Sequence, residues 1–311
     1  MDIFLNSLKI SLICTLKMLF IILPTIFLMN YLINSGVMER LLETLLPLVK
    51  HLNINPISLS SILACLLSPT VGYSILAEGL RSGKISEEEV IATSLANSFP
   101  SILSHTLTFF LPVVIPILGL TGVIFLIIRL GVALVKSILG ILYLWRISRG
   151  GGTEKELKIK GYKKRDVKAS LYSTLKFSKR VVPVMFITMF LVVLLSNLGV
   201  FQYLNSLIMP VTERFHLNPN IGLLALTEVI NVYGAVVMAG EFLRESILSP
   251  REVLIGLVIG NVVTFSSRYV KHSLPLHIAL FGPRLGSKVV MINGIITLLL
   301  DIIVIGLLLI I

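Results

Sequence analysis

The sequence contains two similar halves, and this internal repeat limits the fold more than any single motif does. Many residues 163 positions apart are identical, among them the pairs Asn34 and Asn197, Pro47 and Pro210, Glu78 and Glu241, Ser86 and Ser249, and Gly119 and Gly282. HLNIN at 51–55 returns as HLNPN at 216–220, 165 positions on, which indicates a short insertion that is later compensated. In an apolar chain, such a duplication is typical of two-repeat membrane proteins whose substrate sites lie between the repeats.

Composition indicates a membrane protein with the lipid bilayer as its main partner. The chain is 55% hydrophobic and only 14% charged, whereas about a quarter of the residues are charged in a typical soluble domain. Nine of the 27 Lys and Arg residues lie between Arg146 and Lys168. A basic loop between apolar runs follows the positive-inside bias, so we expect a multi-pass protein of the cell membrane with 146–168 in the cytoplasm. A nucleic-acid partner is not expected.

The sequence gives little support for a redox, metal or catalytic centre. Cys14 and Cys65 stand inside apolar runs without a CxxC or Cys/His spacing, which argues against a disulfide or a structural metal site. HExxH is absent and no Ser/His or paired-Asp arrangement stands out, so we expect no enzymatic activity and no cofactor. Whether a metal ion binds is left open.

The apolar runs predict an all-α polytopic membrane protein with three spans, an interfacial helix and a broken helix in each half. The expected units are a first repeat at 1–145, a basic linker at 146–169 and a second repeat at 170–311. The first half has spans near 10–33 and 120–145, an amphipathic stretch after residue 34 and a broken segment at 57–80. Ser86 with Glu89 forms a capping-box pattern at the start of the remaining span. The second half repeats this order and closes with a span at 288–311.

The orientation of the two halves depends on whether the broken segments cross the membrane or turn back. If they turn back, each half has three crossings and the halves are inverted; if they cross, the halves are parallel. The inverted arrangement places Arg268, Lys271, Arg284 and Lys288 inside with the linker. Positive-inside statistics favour this arrangement. The 24 residues of 57–80 are also long enough to span once at about 1.5 Å per residue, so both topologies stay open.

The segment SPTVGYSILAEGLRSGKISEEEVIATSLANSFPS resembles the gate, or nucleoside-recognition, domain. Such domains are similar to parts of concentrative nucleoside transporters, of the membrane portion of ferrous-iron transport protein B, and of spore maturation proteins A and B. The resemblance covers roughly 34–120 and again 197–283, and the whole chain looks most like two-gate archaeal membrane proteins. It implies a broken helix followed by a polar turn and a helix rich in Ser and Asn. No GxxxxGK[ST] loop occurs, so the G-domain of the iron transporter is missing.

Two helix breaks at matching positions predict a wet cavity, because unpaired backbone groups are tolerated within a membrane only inside protein or beside water. The predicted substrate-binding residues are polar residues and glycines near the breaks. In the first half they are Ser68, Thr70, Gly72, Tyr73, Asn97, Ser98, Ser101, Ser104 and His105. In the second half they are Glu228, Asn231, Tyr233, Gly234, Asn261, Thr264 and Ser267. Each single Ser or Thr is also compatible with a bond to its own helix, so only the cluster carries weight.

Glu228 is the strongest single candidate for a functional residue, as a proton carrier or a cation ligand, because an ionisable residue inside a membrane indicates function by default. Its alternative is a purely structural hydrogen bond. His105 is compatible with a proton relay or with a packing role. HLNIN and HLNPN are interpreted as turn and cap residues. Arg129 and Lys136, seven residues apart and so on one helical face, and Asp301 are also charges within apolar spans. We expect Arg129 to pair with Asp301; the alternative is that Arg129 extends toward the membrane surface.

These features favour a secondary transporter that moves a small polar, nucleoside-like solute or a cation by alternating access between two repeats. Coupling to H+ or Na+ is compatible with the sequence. The alternative is a non-transporting assembly protein of the spore-maturation type, in which the broken segments pack without water. The sequence leaves the oligomeric state open, and a homo-oligomer is allowed.

Overall fold

The computed structural model describes residues 2–34, 54–147, 167–199, 217–268 and 273–310, and every regular element in these ranges is a helix. The first part contains α1 (Asp2–Asn34), α2 (Pro56–Leu67), α3 (Pro69–Arg81), α4 (Glu87–Ala96), α5 (Ser98–His105), a π-helix (Thr106–Val114), α6 (Ile115–Leu118) and α7 (Leu120–Ile147). The second part contains α8 (Val167–Asn197), α9 (Asn220–Ile230), α10 (Val232–Arg244), α11 (Pro250–Arg268) and α12 (Leu274–Ile310). The predicted all-α class is confirmed.

Three stretches in the described part of the chain are long and apolar enough to cross a membrane: Glu87–Leu118, Leu120–Ile147 and Leu274–Ile310. At about 1.5 Å per residue, each exceeds a hydrocarbon core of about 30 Å. Their outer faces are apolar, as shown by Leu120 and Ile303, which are 75% and 57% exposed. Large apolar side chains in such number on an exterior are typical of contact with lipid.

The broken segment of the first part is a helical hairpin. Ser68 has an extended backbone (φ −160°, ψ 120°) that ends α2, and Pro69 begins α3. The Asn55 Nδ2 donates to the Lys84 carbonyl at 3.1 Å, although a continuous helix would separate these two residues by more than about 40 Å. The two helices are therefore antiparallel, and the segment turns back on itself.

The second broken segment has the same shape. Asn231 joins α9 to α10 with nearly the same backbone angles as Ser68 (φ −158°, ψ 121°). The Thr227 hydroxyl reaches the Met238 Sδ at 3.3 Å across the hairpin. At its open end, the Asn218 Nδ2 donates to the Ile247 carbonyl at 3.0 Å. This bond is the counterpart of the bond from Asn55 to Lys84.

The hairpins also correct the register of the HLNxN motif. Asn55 and Asn218 lie 163 positions apart and play the same part: each side-chain Oδ1 accepts a bond from the backbone N–H two residues on, at 3.0 Å. Their interpretation as turn and cap residues is confirmed. The insertion inferred from the spacing of 165 is wrong at this point, because the constant spacing of 163 already matches the residues that make equivalent bonds.

The remaining helix boundaries follow from local residues. The Ser86 hydroxyl accepts from the Glu89 N–H at 3.2 Å and the Glu89 carboxylate accepts from the Ser86 N–H at 2.9 Å, so the predicted capping box at the start of α4 is confirmed. Gly119 and Gly282 have φ of 57° and 80°, which only glycine adopts readily, and each precedes a long helix. Gly282 interrupts α12 with a non-helical backbone, so the part of α12 that corresponds to α7 begins at Pro283, earlier than the predicted start of the closing span at residue 288.

The helices pack with equivalent elements in contact. The start of α1 lies beside the end of α8, where the Asn197 Nδ2 donates to the Ser7 hydroxyl at 2.9 Å and the rings of Phe4 and Phe190 meet edge to face at 5.2 Å. The main apolar core lies between the π-helix, α7 and the second hairpin with α11. The predicted interfacial helix after Asn34, its counterpart at 200–216 and the central part of the basic linker, 148–166, lie outside the described residues.

Candidate functional site

A cavity of about 270 Å³ lies between helices from both parts of the chain. The first part contributes polar side chains from α3, α5 and α7, namely Tyr73, Ser98, Ser101, Arg129 and Lys136. The second part contributes polar side chains from α11 and from around the start and middle of α12, namely Asn261, Ser273, His277, Asn293 and Thr297. The volume is near the lower end of the range for ligand pockets, about 300–1,000 Å³, so a small solute fits best.

An ion pair joins the two parts at one side of this cavity. The Arg129 guanidinium lies 3.0 Å from the Asp301 Oδ1, so the predicted pair is confirmed. Asn261 donates a second hydrogen bond to the same carboxylate. The Asp301 side chain is only 1% exposed, and a buried carboxylate is tolerated when such donors surround it. Arg129 and Asn261 line the cavity, whereas Asp301 does not line it and binds both of these side chains.

A buried lysine lies on the same face of α7 as Arg129, about two helical turns further along the helix. Lys136 is 7% exposed, and its Nζ donates to the Thr297 hydroxyl at 2.9 Å. Thr297 in turn donates to the Asn293 carbonyl at 2.8 Å, and the Asn293 amide donates to the Ser94 hydroxyl at 2.8 Å. This chain of bonds fixes the position of the ammonium group against α12. The ammonium has a neutral hydroxyl as its partner in that chain.

Aromatic rings form the wall near the start of α12. The His277 Nδ1 lies 2.7 Å from the Ser273 carbonyl oxygen, so Nδ1 carries a hydrogen and donates it. The rings of Tyr73 and His277 meet edge to face, with centroids 4.6 Å apart. This contact brings the first hairpin against the second part of the chain. It gives the cavity a partly polar aromatic surface.

The cavity brings together four of the predicted substrate-binding residues, Tyr73, Ser98, Ser101 and Asn261. Other predictions from the first half lie nearby but face the protein interior or surface. The Asn97 amide donates to the Ser61 hydroxyl at 3.0 Å, and Ser61 donates to the Gly72 carbonyl at 2.9 Å. These bonds attach the first hairpin to the junction of α4 and α5. Ser68 and Thr70 lie at the hairpin tip.

The last two predictions of the first half lie at the end of α5. Ser104 accepts from the Thr108 hydroxyl through its carbonyl at 3.2 Å. His105 is exposed, and its ring centroid is 5.8 Å from that of Phe109. Neither residue belongs to the cavity wall.

The predicted residues at the second break serve the hairpin itself. The Asn231 Oδ1 accepts from the N–H groups of Tyr233 and Gly234 at 2.9 and 3.2 Å, which caps α10. The Tyr233 ring packs edge to face on Phe109 at 5.2 Å. The side chains of Thr264 and Ser267 lie outside the described residues.

Glu228 is buried in α9, at 4% exposure, and does not line the cavity. It lies against α11 at Gly260, where a Cβ would come within 2.5 Å of the carboxylate Oε2. The close approach of the two helices therefore depends on glycine at this position. Within the described residues, no group of three or more His, Cys, Asp or Glu side chains forms a metal cluster.

Comparison with known proteins gives the family. A family model described as Gate, nucleoside recognition, matches residues 15–121. Uncharacterized protein MJ0871 of Methanocaldococcus jannaschii is 57% identical over 98% of this chain and 96% of its own length. The chain belongs to the Gate family. Uncharacterized proteins MJ0880 and MJ1556 of the same organism are 26% and 25% identical over 90% and 75% of the chain, and cover 92% and 75% of their own lengths. No solved structure matches.

Membership confirms the resemblance drawn from the SPTVGYS segment. Gate proteins form a transporter-like membrane family and are not enzymes. The Gate match ends at residue 121, so it includes the first hairpin with Tyr73 and the α5 residues Ser98 and Ser101. The cationic wall of the cavity, Arg129 and Lys136, lies just beyond the matched region.

The sequence prediction missed the contribution of α12 to the cavity of this Gate protein. Asn293, Thr297 and Asp301 are spaced four residues apart and share one face of an otherwise apolar helix. Arg129 and Lys136, seven apart, likewise share one face of α7. These two polar stripes are readable in the sequence and indicate facing helices. The prediction looked for the site at the breaks, whereas the breaks mainly position the helices around it.

Proposed function

We propose that this Gate protein is a secondary transporter that carries a small polar solute through the cavity by alternating access between its two parts. The observation that carries the proposal is the position of the cavity, whose polar wall is contributed by both parts of an otherwise apolar helical protein. Polar side chains within a membrane protein are costly unless they pair or meet water or a solute. A solute site at the junction of two repeats is the arrangement that secondary transporters use.

The two parts act in this proposal as inverted repeats, with units 1–145 and 170–311 on either side of a cytoplasmic linker. The antiparallel hairpins support it, because a segment that turns back leaves three crossings in each half, and an odd number inverts the next half. The contact of α1 with α8 supports it as well. These helices correspond at a spacing of 163, and the start of one lies beside the end of the other.

Glu228 is the coupling group in this proposal, as a carboxylate that binds H+ or Na+. Its burial within α9 and its absence from the cavity wall suit an ion site separate from the solute site. Movement of the second hairpin against α11 would link the two sites, because Gly260 holds Glu228 and Asn261 lines the cavity. An ion that binds one arrangement of these helices better than the other shifts the equilibrium between them.

Counterflow in proteoliposomes tests the proposal. The purified chain is reconstituted and loaded with one member of a panel of nucleosides and small organic acids, and exchange of the labelled solute is measured. Ala133 is buried and lines the cavity, so Ala133→Trp fills the space and abolishes exchange. Leu134, the next residue, is 44% exposed on the outer face, so Leu134→Trp leaves exchange intact.

Two results would reject transport by this cavity. One is an absence of exchange for every solute in the panel by a protein whose thermal unfolding is cooperative, which favours the assembly role. The other is equal exchange by the native chain and by a folded Ala133→Trp variant. If Ala133→Trp does not fold, Ser101→Leu reduces the cavity from α5 instead, and its exchange is compared with that of Leu134→Trp.

A further inference from the structure

We propose that the solute is a monoanion whose carboxylate or phosphate-type oxygen atoms bind the Lys136 ammonium group. This inference rests on the proposed function, because it assigns the cavity as the solute site, and it deepens that function by naming the substrate class. Neutral nucleosides are then not the preferred solutes.

The cavity wall is basic. Two of its side chains, Arg129 and Lys136, are basic residues, and among the described lining residues none is Asp or Glu. Asp301 neutralises Arg129 from behind the wall through the 3.0 Å ion pair. The remaining charge of the site is therefore that of Lys136, which sets the expected charge of the solute at minus one.

Lys136 has no carboxylate within ion-pair distance among the described residues. Its Nζ donates to the Thr297 hydroxyl, which leaves two of its three N–H groups to be satisfied in the cavity. A buried ammonium group in a membrane protein is costly without an anion or water. A bound oxyanion supplies both the acceptors and the opposite charge.

The surroundings of Lys136 suit an anion with a compact body. The Ser98 hydroxyl also lines the cavity and can donate to another oxygen atom. The Asn293 Oδ1 can accept from a polar substituent, because the Asn293 amide already donates to the Ser94 hydroxyl and the Val289 carbonyl. Val132 and Val289 give an apolar surface next to them. The rings of Tyr73 and His277, which meet edge to face at 68°, add aromatic surface to the wall. A planar or short aliphatic acid fits this combination and the volume of about 270 Å³.

The test compares acids with their isosteric amides on the purified full-length chain in detergent at constant ionic strength. The probes are nicotinate with nicotinamide, benzoate with benzamide, and inorganic phosphate. We expect an acid at ten times its Kd to raise the Tm by about 2 °C, whereas its amide leaves the Tm unchanged. Stabilisation by the carboxylates alone or by phosphate alone identifies which oxyanion the site prefers.

Lys136→Met removes the charge at nearly constant length. We expect it to weaken acid binding about ten- to a hundred-fold, as for the loss of a hydrogen bond to a charged group. Lys288→Met is the matched control, because Lys288 is exposed on α12 and does not line the cavity; it retains the native affinity. Lys136→Arg, which keeps the charge, retains preference for the acid over the amide if Lys136→Met does not fold.

The inference is overturned if no acid or phosphate stabilises the protein, if acid and amide stabilise it equally, or if Lys136→Met binds the acid as the native chain does. Failure of this inference is distinct from failure of the transport proposal. If the protein exchanges neutral nucleosides but binds no anion, the transport proposal stands and the anion proposal is rejected. Anion binding that depends on Lys136, with no exchange of the same anion in proteoliposomes, retains the anion site and rejects transport.

Discussion

The Arg129 guanidinium binds the Asp301 carboxylate at 3.0 Å across 172 residues of sequence. This ion pair joins α7 of the first part to α12 of the second, beside the cavity that both parts line. Asn261 on α11 binds the same carboxylate, so three helices meet at Asp301. The pair is therefore both a structural connection between the parts and one side of the proposed solute site.

Substitution of either partner alone should destabilise the protein, because it leaves the other charge buried. We expect Arg129→Ala and Asp301→Asn each to lower the free energy of unfolding by about 3–5 kcal/mol. The double variant should cost about 1–3 kcal/mol less than the sum of the two. These free energies of unfolding are measured in mild detergent for the native chain, the two single variants and the double variant, which together form a double-mutant cycle. Glu241→Gln, at the partly exposed pair with Arg244, should cost under about 1 kcal/mol. Additive effects at Arg129 and Asp301 would show that the two charges do not interact.

Gly140 allows α7 to approach α4 closely. A Cβ at Gly140 would lie 2.7 Å from the Ala92 carbonyl oxygen and 2.9 Å from the Leu95 carbonyl carbon, so backbone would have to move. We expect Gly140→Ala to destabilise the protein by about 1–3 kcal/mol, as for overpacking. A Cβ at Gly131, on the same helix, would have nothing within 4 Å, and Gly131→Ala should stabilise by up to about 1 kcal/mol. Thermal unfolding compares the Tm of the two variants, and equal Tm values would contradict the close packing at Gly140.

The tips of the two hairpins differ in capping. Asn231 caps α10 through its side chain, whereas Ser68 makes no side-chain bond to α3. Asn231→Ala should therefore lower stability by about 1 kcal/mol, and Ser68→Ala should have a much smaller effect. Denaturant unfolding in mixed micelles compares them. A loss of stability at Ser68 as large as that at Asn231 would contradict this difference between the hairpins.

Much of the fold is predictable from the sequence because lipid demands long apolar helices. The apolar runs predicted the three long apolar helices that the described residues contain, and local patterns predicted the capping box and both breaks. Length alone did not settle the direction of the chain after each break, because 24 residues suit a hairpin or a single crossing equally well, and only the positive-inside bias favoured a return. In the structure, the hydrogen bond from Asn55 to the Lys84 carbonyl shows that the first segment turns back. No local pattern reports such a contact.

The site was predictable only in part for a related reason. Tyr73, Ser98, Ser101 and Asn261 were predicted from their positions near the breaks, and they do line the cavity. Polar residues at the breaks themselves, such as Asn231, mainly cap the hairpin helices. Their presence in the sequence therefore indicates the position of the break and not that of the cavity. The polar stripes of α7 and α12 carry a separate signal. The expected pair of Arg129 with Asp301 already implied that these two helices meet, whereas the contact of Lys136 with Thr297 appears only in the tertiary packing.

Glu228 tests the proposed coupling. If it binds the coupling ion, Glu228→Gln should lose uptake driven by a pH or Na+ gradient but retain counterflow exchange, because exchange needs no net ion movement. Both activities are measured in the same proteoliposomes. Gly260→Ala, which crowds the same carboxylate, should impair gradient-driven uptake as well. Gradient-driven uptake by Glu228→Gln at the native rate would show that this carboxylate is not the coupling group.

Access to the cavity from both sides of the membrane is the central claim, and the reactivity of a cysteine at position 98 measures it most directly. The background replaces Cys14 and Cys65, and Leu224→Cys, fully buried in the core, is the control. Vesicles of known orientation are treated from either side with a membrane-impermeant thiol reagent. We predict that Ser98→Cys reacts from each side while Leu224→Cys reacts from neither. Reaction of Ser98→Cys from one side only, or from neither, would contradict alternating access.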